Sequence, residues 1–371
     1  MRARMPTLDA SFVPDRNAFD VLRVSFAAMV LLSHATLLSG HADPISTWSG
    51  QQENLGGIAV DGFFAVSGFL VARSYALSRG TGGFLLNRAL RIGPAYVVAV
   101  LVVALGFGPL WAWLERGQIQ TAFLYGPTGA LAWIRDTLLF RTDQDAGFGG
   151  LLRGNPVAGW VDAPLWTLRY ECACYAALAV LGWLDLLSAQ KPFAIAVAAT
   201  LALALHALNS ASTGLGTLLV GGLVNEDFIR LGAFFFAGSF AWFFRDRVLL
   251  NWKVAAASAG LLLLSLRQGG FQFFAVPALT YFIIWLGCRL PFRRLRADYS
   301  YGLYLYGFPV QQTLALCGVH ESGVPLLVVV SVGATWVLAA TSAAFIETPS
   351  LLLKRRAAGS RPPRLDNIAA A

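Results

Sequence analysis

Long apolar stretches alternate with short polar ones along almost the whole chain, and this pattern predicts its elements. Ten apolar stretches can be drawn, at residues 17–39, 57–77, 93–114, 164–187, 192–210, 228–245, 253–268, 271–290, 299–318 and 323–352. Most approach the ~20 residues that an α-helix needs to cross a ~30 Å hydrocarbon core. The segment 116–163 breaks the pattern. It is long, mixed and Gly-rich, and its apolar part around Leu131 to Phe140 is too short and too charged for a span. A re-entrant or interfacial piece is expected there. The reading is an all-α, polytopic membrane protein with about ten transmembrane helices. It has an N-terminal segment 1–16, a membrane domain 17–352 and a basic tail 353–371 expected to be disordered.

Composition agrees with this pattern and narrows the class. Of 371 residues, 57% are hydrophobic and 13% charged, where a soluble domain carries about 25% charged residues. A soluble enzyme, a disordered protein and a coiled coil are excluded. The net charge of +8 is read as topology and not as a nucleic-acid surface. With the N-terminus in the cytoplasm, about 20 of the 28 Lys and Arg residues fall on that side, as the positive-inside rule requires. The first outer loop, Gly40 to Gly56, then has none. An even number of spans returns the C-terminus to the cytoplasm. The four cysteines lie in apolar runs and read as small buried hydrophobes, neither disulfides nor metal ligands. Trp111, Trp113, Trp160, Trp166 and Trp252 fall near expected interfaces and read as an aromatic belt.

Charged groups at lipid depth are costly and by default mark a site. Arg23 and His34 are eleven residues apart, close to three helical turns, so one face carries both about 16 Å apart. Two readings stand: a fixed cation and a titratable base serving one site, or a snorkelling Arg and a His hydrogen-bonded for packing. Asp61 opens the second stretch at a depth compatible with His34, where a carboxylate would fix the imidazole tautomer and raise its basicity. Ser67 and Gly68 lie deeper and suit close helix approach. Arg169 and Glu171 are about 200° apart on one helix and are not expected to pair with each other. Glu171 is a second carboxylate for the depth of His34. Arg88 and Arg91, at i and i+3, stand on one side of a short helix expected to end at Pro94. Their guanidinium forks suit phosphate, and equally suit lipid anchoring. Tyr301 and Tyr304 share a face, and Glu347 is placed to cap or to pair with the basic boundary.

Taken together, the strings FDVLRVSFAAMVLLSHA, VDGFFAVSGFLVARSY, FLLNRALRIGPAY, PLWTLRYECACY, SYGLYLYGFPVQ and AFIETPSLLLKRR resemble the membrane acyltransferase type 3 family, in the family's order. Arg23 and His34 match its Arg-x10-His signature. Ser67, Gly68 and Phe69 match its Ser-Gly-Phe element, and Arg88 with Arg91 its Arg-x-x-Arg element. Two positions depart from it: Arg169 stands within the string after Trp166, and Gly307 stands where a His is common. The resemblance implies a bacterial inner-membrane enzyme that moves an acyl group, usually acetyl, from cytoplasmic acyl-CoA to a hydroxyl of an outer carbohydrate. It implies His34 as the essential base or acyl-relay residue and Arg88 with Arg91 as a donor-binding element; the reading of the residues adds Asp61 or Glu171 to orient His34 for catalysis, and Arg23 to donor binding. Ser67, Trp166, Arg169 and Tyr301 are the candidate lining of a substrate pocket. The expected partners are acyl-CoA, a carbohydrate acceptor and the lipid bilayer, with no bound cofactor, metal or nucleic acid. A transporter or flippase of a lipid-linked sugar is the alternative, since buried Arg, His and carboxylates also line transport pathways.

Overall fold

The computed structural model describes residues 5–118, 124–141, 149–187, 226–292, 295 and 297–357. The expected span 192–210 lies outside these. Among the described residues the regular structure is helical, with one isolated bridge between Thr7 and Leu249. The elements are α1 (Leu8–Ser11), α2 (Phe19–Leu38), α3 (Pro44–Ser49), α4 (Leu55–Ala76), α5 (Gly80–Val102), a π-turn (Val103–Phe107) and α6 (Gly108–Arg116). Then come α7 (Ala130–Leu138), a 3-10 turn (Ala163–Leu165), α8 (Trp166–Trp183), α9 (Glu226–Phe243), α10 (Trp252–Gln268), α11 (Phe271–Arg289) and α12 (Tyr299–Leu316). After a 3-10 turn (Val319–Ser322), α13 (Val324–Ser342), a second π-turn (Ala343–Glu347) and α14 (Thr348–Ala357) complete the order.

Among the described residues, five stretches are long and apolar enough to cross a membrane: Phe19–Leu38, Leu55–Ala76, Gly80–Arg116, Phe271–Arg289 and Val324–Leu352. That is fewer than the ten drawn from the sequence. The other expected spans within the described residues are helices too, but shorter or more polar. α10 has 17 residues; α8 carries Arg169 and Glu171, and α12 carries four tyrosines and two glutamines.

Helix α4 is the centre of the bundle. Glycines let α9 cross it closely: a Cβ on Gly68 would strike the Phe235 carbonyl, and one on Gly238 the Ala65 carbonyl. Ser239 adds a hydrogen bond to the Gly68 carbonyl at 3.0 Å. Helix α2 runs antiparallel to α4. Phe19 stacks on Phe69 at 5.1 Å, Phe26 covers Gly62, and Ser33 meets Gly56. This register sets depth. The starts of α2, α5 and α12 and the end of α4 share one end of the bundle, here called the basic end. His34 lies near the other.

Two expectations are corrected by the fold. Pro94 does not end a short helix; it sits inside α5, which carries Arg88 and Arg91 on the same continuous rod as the third apolar stretch. Proline removes one donor, and packed neighbours re-satisfy such a turn inside a bundle; Tyr301 donates to the nearby Ile92 carbonyl at 3.1 Å. Trp111 is fully buried, and its indole N–H donates to Thr313 at 2.8 Å, so it is core and not belt. Residues up to 357 of the expected tail are helical, and residues 358–371 lie outside the described ones. The segment 149–165 is tied to α12 by Gln312, which donates to the carbonyls of Val157 (2.9 Å) and Trp160 (2.7 Å). The short α7 packs on α5, with Tyr96 donating to the Thr137 carbonyl at 2.5 Å.

Candidate functional site

A cavity of about 500 Å³ runs along one face of α4, within the range of small-molecule sites. Its α4 lining extends from Val60 to Ser74, about 21 Å of helix at 1.5 Å per residue. At the basic end it is lined by Arg23, Arg73, Arg88, Arg91, Asp298 and Glu347. Midway stand Ser67, Glu171 and Tyr175, and the deep end is closed by Val60, Phe63, Thr167 and Tyr304.

Each polar group is held by an identifiable local cause. Asp298 caps α12, accepting from the Ser300 N–H at 3.1 Å and the Ser300 hydroxyl at 2.5 Å. Both Arg23 and Arg91 form ion pairs with it, and Arg91 reaches Glu347 at 3.0 Å. Burial alone would push the Asp298 carboxyl up, but the two guanidiniums and Ser300 outweigh it and hold the group below the ordinary carboxylate range. Glu347 is buried at the second π-turn. Arg88 is placed differently. It donates to the Ser74 hydroxyl at 3.2 Å, lies over the Tyr175 ring at 5.9 Å, and its buried Nε has no hydrogen-bond partner. Tyr175 and Glu171 are i, i+4 neighbours on α8, a spacing that lets them meet. Tyr175 donates to Glu171, and Ser67 donates to the same carboxylate at 3.1 Å. At the deep end Tyr304 donates to the Pro164 carbonyl at 2.8 Å and shares a hydrogen bond of 2.5 Å with Thr167.

The structure brings Arg23, Ser67, Arg88, Arg91, Glu171 and Tyr301 to this one cavity. His34, Asp61, Trp166 and Arg169 are not among its lining residues. The His34 ring sits edge-on to Phe308 at 5.0 Å, one turn of α12 beyond Tyr304, and its buried Nδ1 has no hydrogen-bond partner. Asp61, 1% exposed, is not beside that imidazole in a hydrogen bond. Its ion pair is with Arg230 at 3.7 Å, which also binds Glu53 at 2.7 Å. There the Arg230 guanidinium faces both carboxylates, and Asp61 Oδ1 has no hydrogen-bond partner among the described residues. Nor does Glu171 reach His34, because Ser67 and Tyr175 hold it midway down the cavity. Arg169 stacks on Tyr170 at 4.6 Å and donates to its hydroxyl at 2.6 Å, apart from Glu171 as the helical spacing requires.

Asp298, Tyr175 and Arg230 were not singled out from the sequence. For Asp298 a signal existed: Asp-Tyr-Ser ahead of an apolar run is an N-cap pattern. Tyr175 carried the i+4 relation to Glu171. Nothing local marked Arg230. Among the described residues no group of three or more His, Cys, Asp or Glu side chains is placed to hold a metal ion. The cysteines are free, three of them buried or half-buried, while Cys317 is exposed.

Among the described residues, membrane-length apolar helices around a cavity lined by guanidiniums and carboxylates define a helical membrane protein. A family model for an acyltransferase domain, acyltransferase 3, matches residues 16–342. The chain belongs to that family and is an acyltransferase. It is 28% identical to "Nodulation protein 10" of Rhizobium leguminosarum bv. viciae over 361 residues, covering 91% of this chain and 94% of the relative. It is also 28% identical to an "O-acetyl transferase" of Shigella phage Sf6 over 306 residues, covering 80% of this chain and 85% of that protein. No solved structure matches the chain.

Proposed function

We propose that the protein is an O-acyltransferase that moves an acyl group, acetyl in this reading, from cytoplasmic acyl-CoA to a hydroxyl of an extracytoplasmic carbohydrate. Ten spans in a bacterial inner membrane, with both termini in the cytoplasm, complete the proposal. Its main support is one observation: the cavity begins among guanidiniums at the basic end and stops one helical turn short of His34. A donor with a polyanionic head and a long neutral arm fits that gradient. The phosphates are received at the basic end, whose mouth is lined by Arg23, Arg88 and Arg91. The arm follows α4 past Ser67, Glu171 and Tyr175, and the thioester arrives at Phe63 and Tyr304. Phe308 stands edge-on to the His34 ring at 5.0 Å, and in this reading it swings aside for the reaction. His34 then takes the proton of the acceptor hydroxyl, the oxygen attacks the thioester carbonyl, the carbon–sulfur bond breaks, and the departing thiolate takes the proton from the imidazolium. The phage relative, an O-acetyl transferase by name, supports both acetyl and oxygen.

Membranes carrying the protein, supplied with radiolabelled acetyl-CoA, test this reading. The wild type is expected to label the cell-envelope polysaccharide. His34→Ala is expected to lose about 10²–10⁴-fold of the rate, the usual contribution of a general base, while inserting in equal amount. Near-normal labelling by His34→Ala would refute the role of His34. Movement of glycan without release of CoA would favour a transporter.

A further inference from the structure

The two arginines spaced three apart on α5 occupy unlike chemical settings. Both terminal nitrogens of Arg91 are engaged by carboxylates, one by Asp298 and one by Glu347. Its guanidinium is 15% exposed and lies over the Tyr301 ring at 5.9 Å. Arg23 is taken by the same Asp298. Two cations and two anions thus close on each other, from α2, from α5, from the cap of α12 and from the π-turn before α14. Arg88, one turn nearer the start of α5, has no carboxylate within 4 Å among the described residues. It donates to the neutral Ser74 hydroxyl, and its buried Nε has no hydrogen-bond partner among the described residues.

A guanidinium binds phosphate through its fork of N–H donors. Arg91 has spent that fork on carboxylates; Arg88 has not. Releasing Arg91 to a phosphate would strand Glu347, 5% exposed, as a buried unpaired anion, a change that costs several kcal/mol. From these contacts we infer a division of labour that rests on the donor reading above. Arg88 is the cation that contacts the donor phosphates. Arg91, Asp298 and Glu347 are positioning residues, an ion-paired strut that ties four elements together and sets the width of the cavity mouth.

A comparison of two donors separates these roles. Acetyl-CoA and S-acetylpantetheine carry the same thioester, and the second lacks the phosphates. In kinetics with purified full-length protein, Arg88→Ala is expected to raise KM for acetyl-CoA at least about tenfold, the worth of one charge-assisted hydrogen bond. It should leave KM for S-acetylpantetheine unchanged. Arg91→Ala, and the milder Glu347→Gln and Asp298→Asn, are expected to alter both donors by the same factor and to lower the thermal midpoint. If Arg91→Ala does not fold, the same equal shift in Glu347→Gln carries the test. A phosphate-selective loss in Arg91→Ala as large as that of Arg88→Ala overturns the division, and so does a loss in Arg88→Ala common to both donors. A selective gain in affinity for acetyl-CoA in Glu347→Gln also overturns it, because it would mean that the carboxylate was masking a ligand. If the wild type turns over neither donor, the donor reading itself fails, and the division with it.

Discussion

At the scale of single residues, the ionisable groups at depth divide into those set in an ion-paired cluster and those with no charged partner. Asp61 is of the first kind. Its charge is met by Arg230, which in turn holds Glu53 and lies 4.0 Å from Asp227. One guanidinium serving three carboxylates is a structural centre. Removing it leaves Asp61 as a buried, unpaired charge, which costs about 3–5 kcal/mol. Arg230→Gln is therefore expected to lower the thermal midpoint markedly, with the donor KM of the folded fraction unchanged; differential unfolding in detergent together with kinetics checks both. His34 is of the second kind: among the described residues it has no ion pair, and its buried Nδ1 has no hydrogen-bond partner. The sequence marked both as ionisable residues at membrane depth. It could not tell them apart, because the partner of Asp61 comes from α9, 169 positions away, and no local pattern announces that meeting.

At the scale of elements, the hydrophobic pattern located the helices in the described part of the expected spans. It could not show how closely any two approach. The Ser67-Gly68 step reads as a close-packing signal, and the structure shows what it packs on: the backbone of α9 at Phe235. A methyl group there forces the two helices apart. Overpacking of this kind costs about 1–3 kcal/mol, so Gly68→Ala is expected to destabilise the protein by that amount in reversible unfolding. It should also disturb the neighbouring Ser67–Glu171 hydrogen bond. Wild-type stability in Gly68→Ala would mean that α4 and α9 are looser than drawn. Pro94 teaches the opposite lesson. A residue that ends helices in water is carried inside α5, because the surrounding helices supply the contacts that water would otherwise offer.

At the scale of the whole molecule, two ends with different chemistry face each other through one bundle. The basic end gathers Arg23, Arg88, Arg91, Asp298 and Glu347 around the mouth of the cavity, and His34 stands about 16 Å along α2 from Arg23. Much of this was legible: the basic residues cluster by the positive-inside rule, and the Arg23–His34 spacing fixes two depths on one face. The cavity itself was not, since it is made of side chains from α2, α4, α5, α8 and α12 whose packing no single stretch encodes. The proposal that donor and acceptor enter from opposite ends is the claim on which the account turns. Sealed membrane vesicles of both orientations, given radiolabelled acetyl-CoA that cannot cross the bilayer, measure it directly. Inverted vesicles, with the basic end outward, are expected to label polysaccharide in their lumen, and right-side-out vesicles to remain unlabelled. Equal labelling in the two orientations, or labelling confined to right-side-out vesicles, would contradict the account.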